Sequence, residues 1–353
     1  MPLYAVGSNG SGQLGVGHGD DLSQPELVRR SDTWSVKKLA AGGNHTIILT
    51  SSGRVFASGN NEDSRACICS RNTHAFQEMP LWEYNSAAGG ESLDVNTVAC
   101  TWSATFLLLN DGKVMVCGSG ASGELGLGNG VTGSRVLRRI QEFPPADAKV
   151  VDIAACMGHV VAVLEDGSVF GWGKGRKGQL GEPAEDVWAP RRIEGIGFRA
   201  RKVAGGKDFT VVLGDRAVGE MVILGPNGRD RFGLRSNAPS ALPSNLKSLA
   251  ASWGTIFVLS DDDRIQAWGR DDHGQLPPKG LSELVSFAAG SEHVLALTKS
   301  GKVLAWGWGE HGNCGKHTDD RGDVKARWNE IAVPGRAIRV FAGCATSFIE
   351  VAD

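Results

Sequence analysis

Short apolar runs, bounded by glycine and by aspartate or serine, recur in pairs along this chain. HTIIL, VVAVL, TVVLG, IFVLS and VLALT are rich in β-branched residues and too short for helices, so the pattern predicts strands. A polar turn follows each run, and then a second apolar run that closes on glycine. Leu39–Asn60 reads LAAGGNHTIILTSSGRVFASGN, and Phe287–Gly307 reads FAAGSEHVLALTKSGKVLAWG. Four turns use Ser52-Gly53, Asp111-Gly112, Asp166-Gly167 and Ser300-Gly301. Tight hairpins need such residues, because positive φ costs glycine little. Asp215-Arg216 and Asp262-Asp263 keep the polarity without the glycine.

The pairs align as seven repeats, column by column. The closing glycine falls at Gly7, Gly59, Gly118, Gly173, Gly225, Gly269 and Gly307, and the start of the first run at His45, Ala104, His159, Asp208, Thr255, His293 and Thr346. A unit of this size cannot bury its own apolar face, so neighbours must stack. The spacing suits one four-stranded blade per repeat, and 49 glycines oppose long helices. The expectation is an all-β, seven-bladed β-propeller filling residues 1–353 as one domain. Thr346–Val351 stops without its partner run, while Leu3–Gly7 begins the chain as an unpaired second run. Pairing the two would close the ring and remove an open sheet edge.

Composition narrows the setting. Hydrophobic content of 41% supports a sizeable core, and a net charge of −2 gives no global pull towards nucleic acid or anionic membrane. No apolar run approaches the ~20 residues that a membrane helix needs. The opening MPLYAVGSNG reads as strand rather than signal peptide. Seven cysteines without a disulfide-framework spacing favour a reduced compartment, cytoplasm or nucleus. Three stretches depart from the repeat: Cys67–Asn96, Gly133–Lys149 and Lys316–Pro334. They are expected to be loops or extra outer strands.

The segments GSNGSGQLGVG (Gly7–Gly17), GSGASGELGLG (Gly118–Gly128) and GKGRKGQLG (Gly173–Gly181) resemble the repeat of the regulator-of-chromosome-condensation family. So do the AAGGNHTIILTSSGRVF and AAGSEHVLALTKSGKVLAWG blocks. Within that family, WGWGEHGNCG (Trp306–Gly315), AGCATSF (Ala342–Phe348), GGNHT, ACTWSAT and GGKDF are most similar to a fungal branch, the alpha-tubulin suppressor or killer-toxin-insensitivity protein thirteen branch. The resemblance implies a seven-bladed propeller and a partner, a small CSL-type zinc-binding protein that donates electrons in diphthamide synthesis. It further implies a role in Elongator-dependent modification of the tRNA wobble uridine.

Strand direction locates a binding face. The start of each first run and the end of each second run share one rim, so Asn60, Trp308, Glu310 and His311 should lie there with Trp102, Asp208, Trp253 and His293. The column two residues before the run holds Gly43, Trp102, Met157, Gly206, Trp253, Ser291 and Cys344. Two tryptophans stand there where glycine or serine would do. Tryptophan is enriched at interface hot spots, so Trp102 and Trp253 are either contact surface or axial packing. Trp308, between two glycines, is expected to be exposed; Trp172, Trp268 and Trp306 are expected in the core. The partner-binding candidates are therefore Trp102, Asp208, Trp253, His293, Trp308, Glu310 and His311.

Catalytic and metal readings are weaker. His45, His159 and His293 could ring the axis as a metal or catalytic site, but a repeated column favours packing. Cys67-x-Cys69 has no second thiol pair, and an ordinary loop outweighs a zinc site. GSGASG lacks the Lys-Ser/Thr ending and the following helix of a phosphate loop. Arg191, Arg192, Arg199, Arg201, Lys202 and Lys207 form a basic cluster better read as a solvated strand edge than as a phosphate footprint. No cofactor, metal, membrane or direct nucleic-acid contact is expected. The favoured function is a non-enzymatic partner protein. The alternatives are a guanine-nucleotide exchange factor for a small GTPase, which needs a surface rather than a triad, and a propeller enzyme using the three histidines.

Overall fold

The computed structural model describes residues 1–29, 34–81, 93–215, 218–226, 228, 230–240 and 242–353. Their strands form seven antiparallel sheets arranged as a propeller. Blades are numbered here by their innermost strands, which start at Val36, Val95, Val150, Lys202, Leu246, Leu284 and Ala337. Five sheets have four strands, and blades four and five show three among the described residues.

The ring closes as the unpaired terminal runs require. Leu3–Gly7 lies antiparallel to Thr346–Val351, from Leu3 opposite Glu350 to Gly7 opposite Thr346. Leu22–Leu27 adds the outer strand of this seventh blade and Ala337–Ala342 the inner one. Outer strands of other blades come from the departures from the repeat: Asn72–Glu78, Gly133–Arg139 and Asp323–Ile331. Residues 82–92 of the first departure, and Arg216 in one turn, lie outside the described residues.

Second strands are buried at every position, as in His45–Thr50, Ala104–Leu109 and His293–Thr298. Their two faces pack on the two neighbouring blades, which is why they read as continuous apolar runs rather than alternating ones. Trp172 and Trp306 are wholly enclosed and Trp268 nearly so. Trp306 and Trp268 donate their indole N–H to Gln275 O at 3.0 Å and Leu234 O at 2.9 Å. Trp172 packs its ring on Phe106 and Phe143, with centroids 6.0 and 5.5 Å away.

The closing glycines have a common cause. Gly59 has φ +104°, and a Cβ there would collide with the Asn44 carbonyl at the head of the neighbouring strand. The strand end is pressed against the tip loop, so both backbone conformation and space exclude a side chain.

Candidate partner-binding face

The tip loops between first and second strands meet around one mouth of the central channel, and backbone hydrogen bonds stitch them together. Gly43 N donates to Trp102 O, Trp102 N to Met157 O, Lys207 N to Trp253 O, Trp253 N to Ser291 O and Ser291 N to Gly343 O, at 2.8 to 3.1 Å. Each bond crosses from one blade to the next. The column that carries the two tryptophans is thus where the ring of blades is joined.

Trp102 and Trp253 belong to blades two and five, on opposite sides of the channel, and their rings meet over its mouth with centroids 6.0 Å apart at 45°. Axial packing and surface exposure, posed as alternatives by the sequence, coexist here. Trp102 remains 38% exposed and Trp253 is half-buried. Gly43 provides the room, since a Cβ there would fall on the Trp102 indole. The Lys207 ammonium lies 5.6 Å from the Trp253 ring centroid, a cation–π arrangement. Asp208, beside Lys207, is half-buried at the same mouth.

The register of blade four corrects one column. Gly206 N donates to Phe209 O just as Gly42 N donates to His45 O. Phe209, not Asp208, therefore stands in the histidine position, and Lys207 rather than Gly206 stands in the tryptophan column. The tip is no longer than the others: Gly205, opposite Thr210, corresponds to Ala41, opposite Thr46, so the glycine pair sits one place earlier than in blade one.

The remaining rim candidates gather farther out, where blades five, six and seven adjoin. Trp308 is half-buried, with His311 edge-on at 5.3 Å and His273 at 6.3 Å. His311 Nδ1 lies 2.7 Å from Asp21, and His273 Nδ1 lies 2.9 Å from the buried Asp323. Glu310 is exposed. Arg270 bridges Asp272 and the buried Glu292, and Gln275 donates to the other Glu292 oxygen at 2.5 Å. Burial raises the Glu292 carboxyl above its ordinary range, against the pull of Gln275 and Arg270. His273, which carries half of this aromatic shelf, was not singled out by sequence; it follows the third strand of blade five, Ile265–Gly269, outside the repeat columns.

His293 does not join either group. It is fully buried, with Nε2 3.0 Å from Ser347 Oγ of the next blade. His45 pairs in the same way with Thr105 Oγ1, and His159 with Thr210 Oγ1, each at 3.0 Å. The three imidazoles are therefore separate inter-blade ties rather than one axial site. Burial holds His45 down to about 3 and His159 and His293 down to about 4, so all three rings are neutral at pH 7. A sequence signal existed. Where the histidine position holds Ala104, Phe209 or Thr255, the facing position on the next blade holds Val160, Ile256 or Val294, without the hydroxyl.

The other candidates disperse. Cys67 is buried and Cys69 exposed, and among the described residues no group of three or more His, Cys, Asp or Glu could hold a metal ion. Burial pushes the Cys100 and Cys156 thiols up to about 12 and Cys344 to about 11, so none of the three is a thiolate at pH 7. The basic cluster splits. Arg191 and Arg192 are near Glu185 and Glu194, Arg199 donates to Glu165 O, Lys202 lines the channel and Lys207 is at the tips.

Residues 2–349 match the RCC1-like domain family. The chain belongs to that family. An RCC1 repeat-containing protein of Schizosaccharomyces pombe is 33% identical over 99% of both chains. The secretion-regulating guanine nucleotide exchange factor of Bos taurus is 29% identical over 78% of this chain, which spans 61% of that protein. Among solved structures, Prp20p of Saccharomyces cerevisiae superposes with a TM-score of 0.83 at 21% identity, over 99% of this chain and 90% of that one. That likeness shows the same propeller fold.

Proposed function

We propose that this RCC1-like propeller is a non-enzymatic platform that docks a small CSL-type zinc-binding electron-transfer protein on its tip face. Through that partner it would support diphthamide synthesis and Elongator-dependent modification of the tRNA wobble uridine, in cytoplasm and nucleus. The observation that carries the docking face is the pairing of Trp102 with Trp253 over the channel mouth, partly exposed and held by backbone bonds that do not depend on their side chains. Large aromatics on a rigid scaffold bind at low entropic cost, and a few such residues dominate interface energetics. Trp308 with His311 and Glu310 extends the face outward. The identity of the partner rests on the branch resemblance of WGWGEHGNCG, AGCATSF and ACTWSAT.

A second reading is guanine-nucleotide exchange on a small GTPase. It is favoured by the relative of that name and by Prp20p, which binds Gsp1p. Two assays separate them. Co-elution of this protein with the purified zinc-binding protein, lost in Trp102→Ala and Trp308→Ala, supports the first reading. Accelerated nucleotide release from a small GTPase, with no co-elution of the zinc-binding protein, would replace it with the second.

A further inference from the structure

The central channel holds a cavity of about 330 Å³, near the lower end of the size range of ligand pockets. The tryptophan pair covers one end. Its wall is mostly small and neutral, with Ala40, Ala99, Ala154 and Ala204 from the inner strands and the protonated thiols of Cys100 and Cys156. Lys38, Asp152 and Lys202 also line it, and the register explains why. In most blades the inner strand has an irregularity near its start, as between Val36 and Lys38 or Val150 and Asp152. This brings Lys38, Thr97, Asp152, Ser248, Ser286 and Arg339 to one level, and Lys202, opposite Leu213, occupies the same level in blade four. The result is a polar collar beneath an apolar shaft.

The charges in this collar do not balance. Arg339 is already engaged, with Glu350 at 3.4 Å and the Val36 carbonyl. Asp152 accepts the Val203 N–H at 2.9 Å through one oxygen. Among the described residues, neither the Lys38 nor the Lys202 ammonium has a hydrogen-bond or salt-bridge partner. Lys38 comes from blade one and stands within the field of Asp152 on blade three and Lys202 on blade four. Both lysine side chains are solvent-accessible, at the open end of the channel. Burial and the like charge of Lys202 both work against its ammonium, and Asp152 alone offsets them. Two ammonium groups sharing one carboxylate at the wall of one cavity leave a local excess of positive charge, and a cleft focuses such a field on an anion.

We propose that the channel end framed by Lys38, Lys202 and Asp152 binds a small phosphate-class oxyanion. Its oxygens accept from both ammonium groups, while Asp152 limits affinity by like-charge repulsion. The site lies inside the ring and is independent of what docks on the tips.

Calorimetric titration of inorganic phosphate and of pyrophosphate into the whole protein at fixed ionic strength tests this. Saturable one-to-one binding is expected, weaker by about tenfold or more in Lys38→Gln and Lys202→Gln, as for the loss of one charge-assisted contact. Asp152→Asn should bind more tightly than the parent, a change opposite in sign that damage to the fold does not produce. No binding of either anion to the parent protein overturns the proposal. So does unchanged affinity in the two lysine variants, or no tightening in Asp152→Asn.

Discussion

At the residue scale, the histidine–hydroxyl pairs show how a repeat protein distributes polarity inside its core. His45, His159 and His293 each bond a Thr or Ser on the next blade, and where the histidine is replaced by Ala104, Phe209 or Thr255 the facing residue is Val160, Ile256 or Val294, with no hydroxyl to bond. A buried polar atom is tolerated when paired and costly when orphaned. Thr210→Val should therefore cost about 1–3 kcal/mol by stranding His159 Nε2, measurable as a lower denaturant midpoint. The same burial fixes the acid response. The folded-state values of about 3 to 4 lie below the ordinary histidine value of 6.5, so the unfolded chain binds more protons. Stability contributed by the neutral rings is present above pH 6.5 and falls as pH drops towards 4. Roughly 2 kcal/mol per histidine should be lost between pH 7 and pH 5. His159→Gln should show a shallower loss over that window in pH-dependent unfolding; an identical slope would contradict the assignment.

At the element scale, most of the architecture was legible from sequence because the repeat places the same demand on every unit. The runs, turns and closing glycines each have a local physical cause, and all were readable. The Asp208 column was not, because Gly205-Gly206 reads like Gly42-Gly43 in sequence although it sits one place earlier in the tip. The meeting of Trp102 with Trp253 was equally hidden. It depends on ring closure bringing blades two and five to opposite sides of one mouth, a distance relation that no local pattern encodes. Closure itself is testable. Deleting residues 1–8 removes the strand between Thr346–Val351 and Leu22–Leu27. The truncated chain should melt well below the parent, and an unchanged melting temperature would contradict the role of that strand. Trp172→Ala should cost roughly 3–5 kcal/mol as a fully buried aromatic lost between blades, read from denaturant unfolding.

At the scale of the whole molecule, the two ends of the channel have different characters. One is an aromatic face on stitched tips; the other is a polar collar with spare positive charge. A rigid ring with its binding groups on loops suits recognition, since the scaffold pays little ordering entropy on docking. Trp102→Ala and Trp308→Ala should weaken partner binding by roughly tenfold or more while thermal unfolding stays near that of the parent. Early melting with affinity intact would assign those side chains to packing alone. The most direct measurement is a calorimetric titration of the purified CSL-type zinc-binding protein into this one. One-to-one saturation with submicromolar affinity is the predicted result; absence of heat together with absence of co-elution would contradict it.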